Sequence, residues 1–338
     1  MTAQPLVSII TPSYNQAAYL EAAIRSVLAQ DYTPIEYILV DGGSSDGSPE
    51  IIRRYADWLA WWVSEPDSGQ AEAINKGLQK ANGEIIAWLN SDDLYLPGAV
   101  GQAAAVLQAQ PELGMVFADA ITIDPQGRPL NRLSFGPWGL EELLCFRIIC
   151  QPAVFMCRSV IEKAGFLDPT FHYMLDHQLW MRLARQAPIQ YAATGPQAPV
   201  WAAARHHPGA KNVAQAPMFG EEILRLVEWL QAQPDLAPWW QNRRKHILGG
   251  AYRLNGRYLL DGGEPRAALQ SYMKALRYWP AYTLKHWRRM LYALASLMSI
   301  KPASPPGRRN PRLAAELKRI FTAAGTPLDA WPGINLGE

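Results

Sequence analysis

The sequence has little sulphur. Only three cysteines, Cys145, Cys150 and Cys157, occur in 338 residues, and no two form a C-x-x-C pair. An odd, sparse set suits reduced thiols in a cytosolic protein and not a disulfide framework. Charge of one sign is also missing: 32 Lys+Arg stand against 30 Asp+Glu, a net of +2. A dedicated nucleic-acid binder would carry a strong basic excess, so no nucleic-acid partner is expected. Long apolar runs are absent too. The best late one, Met290 to Ile300, falls short of the roughly 20 residues that cross a bilayer. No basic segment leads into an apolar stretch near Met1, so no signal peptide is expected. Together these absences predict a soluble cytoplasmic protein, or one held peripherally at the inner face of a membrane.

What is present points to a packed enzyme-sized chain. Apolar residues make up 49% and charged residues 18%, which excludes disorder as the overall state. The length fits one large or two ordinary domains. Trp (13) and Pro (27) are both high, and Trp belongs to packed or ligand-facing surfaces.

From Leu6 to about Ala204, strand-like and helix-like segments alternate. Val7 to Thr11 reads as a buried strand. Ala17 to Gln30 has helical spacing, with Leu20, Ile24, Val27 and Leu28 on one stripe. Tyr37 to Val40, Trp61 to Val63 and Glu84 to Leu89 read as further strands, with helices reaching Ala56 and Lys80 between them. Such alternation implies a mostly parallel sheet covered on both faces, with ligands beyond the carboxyl ends of its strands. The polar clusters fall there: Pro12 to Asn15, Asp41 to Ser48, Glu65 to Gln70, and Asn90 to Asp93. Turn chemistry explains any one such loop. Four on one edge make a polar cleft.

After Arg205 the pattern is helical, with predicted helices over 220–233, 241–260, 264–278 and 283–300. The pair over 246–280 resembles one tetratricopeptide-type unit. One unit is too few for a solenoid, so a helical cap on the first domain is expected. A Pro- and Arg-rich linker over 302–311 precedes a last short helix over 313–324.

Asp92 and Asp93 directly follow an apolar strand. Adjacent carboxylates there need solvent or a cation, and hard oxygen ligands suit Mg²⁺ or Mn²⁺. An N-cap on a helix starting near Leu96 or Pro97 would explain them as well.

The ordered series Val7 to Asn15, Asp41 to Ser48, Gly69 to Gly77, Asn90 to Asp93, Gln151 to Phe155, Gly165 to Asp168 and Tyr173 to Arg182 resembles the family 2 glycosyltransferases, over roughly residues 5–212. The resemblance implies a glycosyltransferase A-type (Rossmann-like) α/β fold, here with a C-terminal helical extension. It implies a nucleotide-diphospho-sugar donor, a divalent cation, inversion at the anomeric carbon, and a saccharide or lipid-linked saccharide acceptor, as in surface polysaccharide synthesis. Residues 1–212 would be the donor-binding domain and 213–338 the extension. Carried over by position, Asp41 would bind the base, Pro12, Tyr14 and Asn15 would line the nucleotide pocket, and Asp67 and Lys76 would line the cleft. Asp92 would contact the ribose, and Asp93, with His207, the metal and diphosphate. The acidic metal motif of this fold is often Asp-x-Asp. Here position 90 is Asn, which leaves one carboxylate fewer.

Asp176, at the head of a helical run, is the expected base. An inverting transfer needs one group to take the acceptor's proton. The resemblance favours that role over an N-cap, which also suits its position, and Asp168 is an alternative base, although Gly165 to Pro169 reads more like a structural turn. Gln151, Trp180 and Phe135 to Trp138 would shape the acceptor pocket, with core packing the alternative for Trp180. Lys285 to Tyr292 mixes bases and aromatics, which suits either an anionic membrane or packing with a solvated basic face. Two other readings stay open. A sugar-nucleotide pyrophosphorylase would want Gly and Arg in the first loop, where Pro12 to Asn15 has neither. A non-catalytic nucleotide-sugar-binding module would leave the acidic set unused.

Overall fold

The structure, a computed structural model, describes residues 4–193, 198–297, 310–327 and 331–336. Strand β1 (Val7–Ser13) is the spine, with all seven residues buried. It pairs in parallel with β2 (Ile35–Asp41) on one side and with β4 (Ile85–Trp88) on the other, and β3 (Trp61–Ser64) extends the sheet beyond β2. Beyond β4 come β9 (Val154–Cys157), β6 (Met115–Phe117) and β10 (Ile189–Tyr191), giving the order β10-β6-β9-β4-β1-β2-β3. Only β9 runs against its neighbours. The central strands β1 and β4 are buried along their whole length because helices cover both faces.

Those helices are α1 (Ala17–Leu28), α2 (Ser48–Arg54), α3 (Gln70–Lys80), α4 (Ala99–Ala109), α5 (Leu140–Leu144), α6 (Arg158–Ala164) and α7 (Leu175–Gln186). On α1, Leu20, Ile24 and Val27 are buried as the spacing predicts, with Ala23 beside them, whereas Leu28, expected on the same stripe, stands exposed. A second sheet, in the order β5-β11-β7-β8, joins β5 (Leu94–Tyr95), β11 (Val200–Arg205), β7 (Asp119–Ile123) and β8 (Pro129–Leu133). It accounts for a difference from the sequence reading. Leu94 and Tyr95 pair antiparallel with β11, so the next helix begins only at Ala99, and Asp92 and Asp93 do not cap it.

The C-terminal third is helical: α8 (Lys211–Ala214), α9 (Ala216–Gln231), α10 (Ala237–Asp261), α11 (Pro265–Tyr278), α12 (Pro280–Thr283), α13 (Trp287–Leu297) and α14 (Pro311–Ala323). The expected helix over 283–300 is interrupted by a 3-10 turn at Leu284–His286, and its last three residues lie outside the described ones. The expected linker over 302–311 lies outside them up to position 309. Helices α9 and α10 do not form a separate core. Ile223, Leu226, Leu254 and Tyr258 join one apolar cluster with Ile10, Trp88 and Trp180.

The end of the chain returns to the second sheet. Trp331 is buried against Phe321, and its indole N–H donates to the Tyr95 carbonyl at 2.7 Å. The Asn335 N–H donates to the Gly127 carbonyl at 3.0 Å. Gly127 has φ +79°, and a Cβ there would overlap the Gly333 carbonyl, so only glycine fits this contact. Among the described residues no helix is long and apolar enough to cross a membrane.

Candidate active site

The ends of β1 and β2 lie side by side, with Ser13 in register with Asp41. Asp41 is completely buried. Its carboxylate accepts from the Ser44 N–H (2.9 Å), the Ser44 hydroxyl (2.5 Å) and the Ser64 hydroxyl (2.7 Å). The first loop is stitched to the second. Asn15, at φ 51°, accepts from the Ser45 N–H at 2.9 Å and donates its own N–H to Ser44 Oγ at 2.8 Å. The start of α1 is held from outside, by Asp46 on the Ala17 N–H at 2.8 Å. Pro12 is buried within β1, while Tyr14 stands exposed at the rim. Beside Asp41 opens a cavity of about 490 Å³ whose lining includes Ser44, Ser64, Pro49, Arg53 and Trp62.

The third loop closes on the second. A Cβ on Gly42 would stand 2.8 Å from Asp67 Oδ2, so the bare glycine lets that carboxylate approach. Burial pushes the Asp67 carboxyl above its ordinary range. Lys76 is already engaged, with Glu65 at 3.0 Å and Glu72 at 3.1 Å. Gln70 opens α3 and crosses the cleft. Its amide donates to Asn90 Oδ1 at 2.8 Å, and its carbonyl oxygen accepts from Lys211 Nζ at 3.2 Å. Lys211 also donates to the His172 carbonyl at 3.2 Å, so this chain of contacts links the end of β4 to the loop before α7.

Asp92 and Asp93 meet the end of β11. Asp93 is buried. It accepts from the Arg205 N–H at 2.9 Å and from the Asn90 amide at 3.3 Å. Its burial, and next the charge of Asp92, push its carboxyl well above the usual range. His207 Nε2 lies 3.0 Å from Asp92 Oδ2, with its ring packed on Tyr19. The Arg205 guanidinium is 4.8 Å from the Tyr19 ring. It donates to the carbonyls of Asp92 (3.0 Å), Asp124 (3.1 Å) and Gly333 (3.3 Å).

Asp176 sits in the first turn of α7, two residues past the N-cap Met174. It is therefore not itself the cap. Its Oδ1 accepts from the His177 N–H at 2.6 Å. Burial raises its carboxyl to about 6, and the nearby charge of Glu222 adds to the rise. The sequence reading missed Glu222. This buried carboxylate on α9 accepts from the backbone N–H groups of His172 (2.7 Å), Tyr173 (2.6 Å) and Met174 (2.5 Å). It thus anchors, from α9, the loop that leads into α7. Asp176 and Asp93 both lie within electrostatic reach of Cys150. Next to that cysteine, Gln151 donates to the Trp88 carbonyl at 2.7 Å, while its buried Oε1 has no partner among the described residues. Trp180 corrects an expectation. It is fully buried in the core and has no face left for a sugar.

The sequence profile described as Glycosyl transferase family 2 matches residues 8–158. A glycosyltransferase of Mycobacterium tuberculosis, itself described as uncharacterized, is 31% identical over 191 residues, which are 54% of this chain and 71% of that one. The chain belongs to glycosyl transferase family 2. A glycosyltransferase of Rickettsia typhi, also described as uncharacterized, is 30% identical over 198 residues, 56% of this chain and 62% of the relative. The match thus spans about three fifths of that protein.

Two solved structures share the family 2 chain's fold. One is a mannosyltransferase from Pyrobaculum calidifontis in complex with GDP-Man and Mn²⁺: TM-score 0.57, 20% identity, 96% of this chain and 87% of that one. The other is S. aureus TarS 1–349 in complex with UDP-GlcNAc: TM-score 0.52, 15% identity, 96% and 89%. The fold is the glycosyltransferase A type, with the helical C-terminal region added.

Among the described residues of this family 2 chain, no group of three His, Cys, Asp or Glu side chains is gathered as a metal cage. The donor set still fits a cation shared with a diphosphate, since one or two carboxylates suffice when phosphate and water fill the shell. Burial first, and the neighbouring charge of Asp92 second, disfavour the ionised form of Asp93, and a cation held there would offset both.

Proposed function

We propose that this protein is an inverting, metal-dependent glycosyltransferase. It would move a sugar from a nucleotide-diphospho-sugar to an acceptor hydroxyl in the synthesis of surface polysaccharide or another glycoconjugate. Residues 1–212 would bind the donor and 213–338 would complete the site from the side of α9. The observation that carries this reading is a set of held carboxylates at the strand ends and the head of α7. Ser44 and Ser64 fix Asp41 at the end of β2, the Arg205 N–H holds Asp93 after β4, and burial raises Asp176 in the first turn of α7 to about 6.

In this reading the cavity lined by Trp62 and Arg53 takes the base, with buried Asp41 fixing Ser44 and Ser64 of its lining from behind, Tyr14 and Asn15 on the adjoining first loop, and Pro12 buried beneath that loop. Asp67 lines the cleft, and Lys76 keeps Glu65 and Glu72 neutralised at its edge. Asp92, oriented by His207, meets the ribose. Asp93 would hold Mg²⁺ or Mn²⁺, with His207 alongside. When bound, the cation would offset charge on the departing diphosphate. Asp176 removes the acceptor's proton as that oxygen attacks the anomeric carbon, so the leaving nucleotide departs from the opposite face. A raised carboxyl is a stronger base than an ordinary one and is still ionised at neutral pH. Gln151, with a free buried acceptor atom, would face the acceptor. We infer a cytoplasmic enzyme whose acceptor is a saccharide or a lipid-linked saccharide met by peripheral contact with the membrane. The test is nucleoside diphosphate release from a panel of UDP- and GDP-sugars with Mn²⁺ or Mg²⁺, with the product's anomeric configuration read by NMR. Retention of configuration, or full activity in Asp176→Asn, would sink it.

A further inference from the structure

Among the described residues, nothing covers the apolar outer face formed by α13 and the 3-10 turn before it. Leu284, Trp287, Leu291, Leu294 and Leu297 fall at steps of three, four, three and three. They are 54%, 51%, 55%, 49% and 41% exposed. The opposite face already anchors the helix: Ala293 is buried, and Met290 and Tyr292 pack with Leu260, Ala268 and Tyr272. The exposed stripe is therefore not needed to hold α13 in place. Single exposed leucines are ordinary, whereas five in one line mark an interaction surface. Met273 on α11, 66% exposed, is a further bare apolar side chain on the same helical hairpin.

The charge around this stripe is one-sided. Between Glu264 and Glu316 the sequence holds ten Lys and Arg and no acid, so the rest of the chain is net acidic. Lys274, Arg277, Lys285 and Arg288 are exposed. The Arg288 guanidinium stands 5.6 Å from the Trp287 ring, a cation at the border of the apolar band. Arg289 is spent on Asp261 at 2.7 Å.

An apolar band with a basic rim complements a bilayer surface carrying anionic headgroups. A second copy of the chain fits less well, because a symmetric contact would set the two basic rims against each other. With 11 residues α13 is about 16 Å long, so it can lie in the interface but not cross it. We propose that α13 docks the protein in the plane of an anionic lipid surface. Trp287, Leu291 and Leu294 enter below the headgroups, and Lys285 and Arg288 meet the phosphates. The proposal deepens the reading of a membrane-borne acceptor, and rests on it only for the purpose of docking.

The experiment is co-sedimentation of the full chain with phosphatidylcholine vesicles, with and without phosphatidylglycerol. Binding to the anionic vesicles should exceed that to the neutral ones by about tenfold or more, and should fall as salt screens the phosphates. The double variant Leu291→Glu/Leu294→Glu should lose about tenfold or more of that binding, with an unchanged thermal melt. Lys285→Glu/Arg288→Glu should abolish the preference for anionic vesicles. Absence of binding, equal binding to both vesicles, or binding untouched by the leucine pair overturns the proposal. So does a dimer, seen by light scattering, that those variants dissolve. Nucleotide release with a soluble acceptor, run on the same preparations, tests the transferase reading separately. Either can fail while the other stands.

Discussion

Glu222 holds the backbone N–H of Met174 at 2.5 Å, two residues before Asp176. The same carboxylate takes the two preceding N–H groups, so a residue on α9 fixes the position from which the proposed base works. Glu222→Gln keeps the size but loses the charge and one of the two acceptor oxygens. We expect kcat to fall by about tenfold or more as the loop loosens. We also expect the acid limb of the kcat/KM profile to move to lower pH, because the charge of Glu222 helps raise Asp176. A purely structural residue would lower activity without moving the limb.

As the proposed base, Asp176 would act only when ionised. With its carboxyl raised to about 6, kcat/KM should climb with pH through about 6 and level above it. Asp176→Asn should remove about 100-fold to 10,000-fold of the rate while leaving donor binding in place.

The same group sets a stability trend. Its folded pKa lies above the unfolded value, so the folded state holds the proton more tightly. The resulting stability is complete below about pH 4 and is lost as pH rises through about 6. Asp176→Asn escapes that loss. Thermal melts should show the variant on the order of 2 kcal/mol more stable at pH 8, and nearly equal to the parent at pH 4. Equal melts at both pH values would mean that burial does not penalise this carboxylate.

Asp93→Asn removes the charge on which cation binding is proposed to depend but keeps an acceptor for the Arg205 N–H. Nucleoside diphosphate affinity, measured by calorimetry, should then lose its dependence on Mn²⁺. A variant that still binds more tightly with Mn²⁺ would move the metal role to another residue.

The returning C-terminus gives a stability test away from the chemistry. Trp331→Ala opens a cavity next to Phe321 and abandons the bond to Tyr95, which should cost about 3–5 kcal/mol in urea unfolding. Gly127→Ala, which must push Gly333 away, should be destabilising too.

Local pattern made much of this legible. The strand starts, the stripe of α1 and the loops at Asp41 and Asp92 follow from residue spacing and turn chemistry alone. The misreadings come from long-range contacts. Leu94 and Tyr95 are strand because β11, more than a hundred residues later, pairs with them. Trp180 looks like a sugar platform in sequence, but β-sheet and helices enclose it. Glu222 carries no motif, since its partners are backbone groups some fifty positions upstream. Those groups form the loop that leads into Asp176, so the anchor of the loop lies on another helix. The tail at Trp331 has only its large apolar ring as a signal.

One apolar cluster runs from Ile10 through Trp180 to Tyr258. The α/β and helical segments therefore share one core and one cooperativity. Heating should give a single unfolding transition. A chain truncated after β11 would present the bare underside of that cluster to water, so aggregation, and not a trimmed working enzyme, is the outcome to expect of such a fragment.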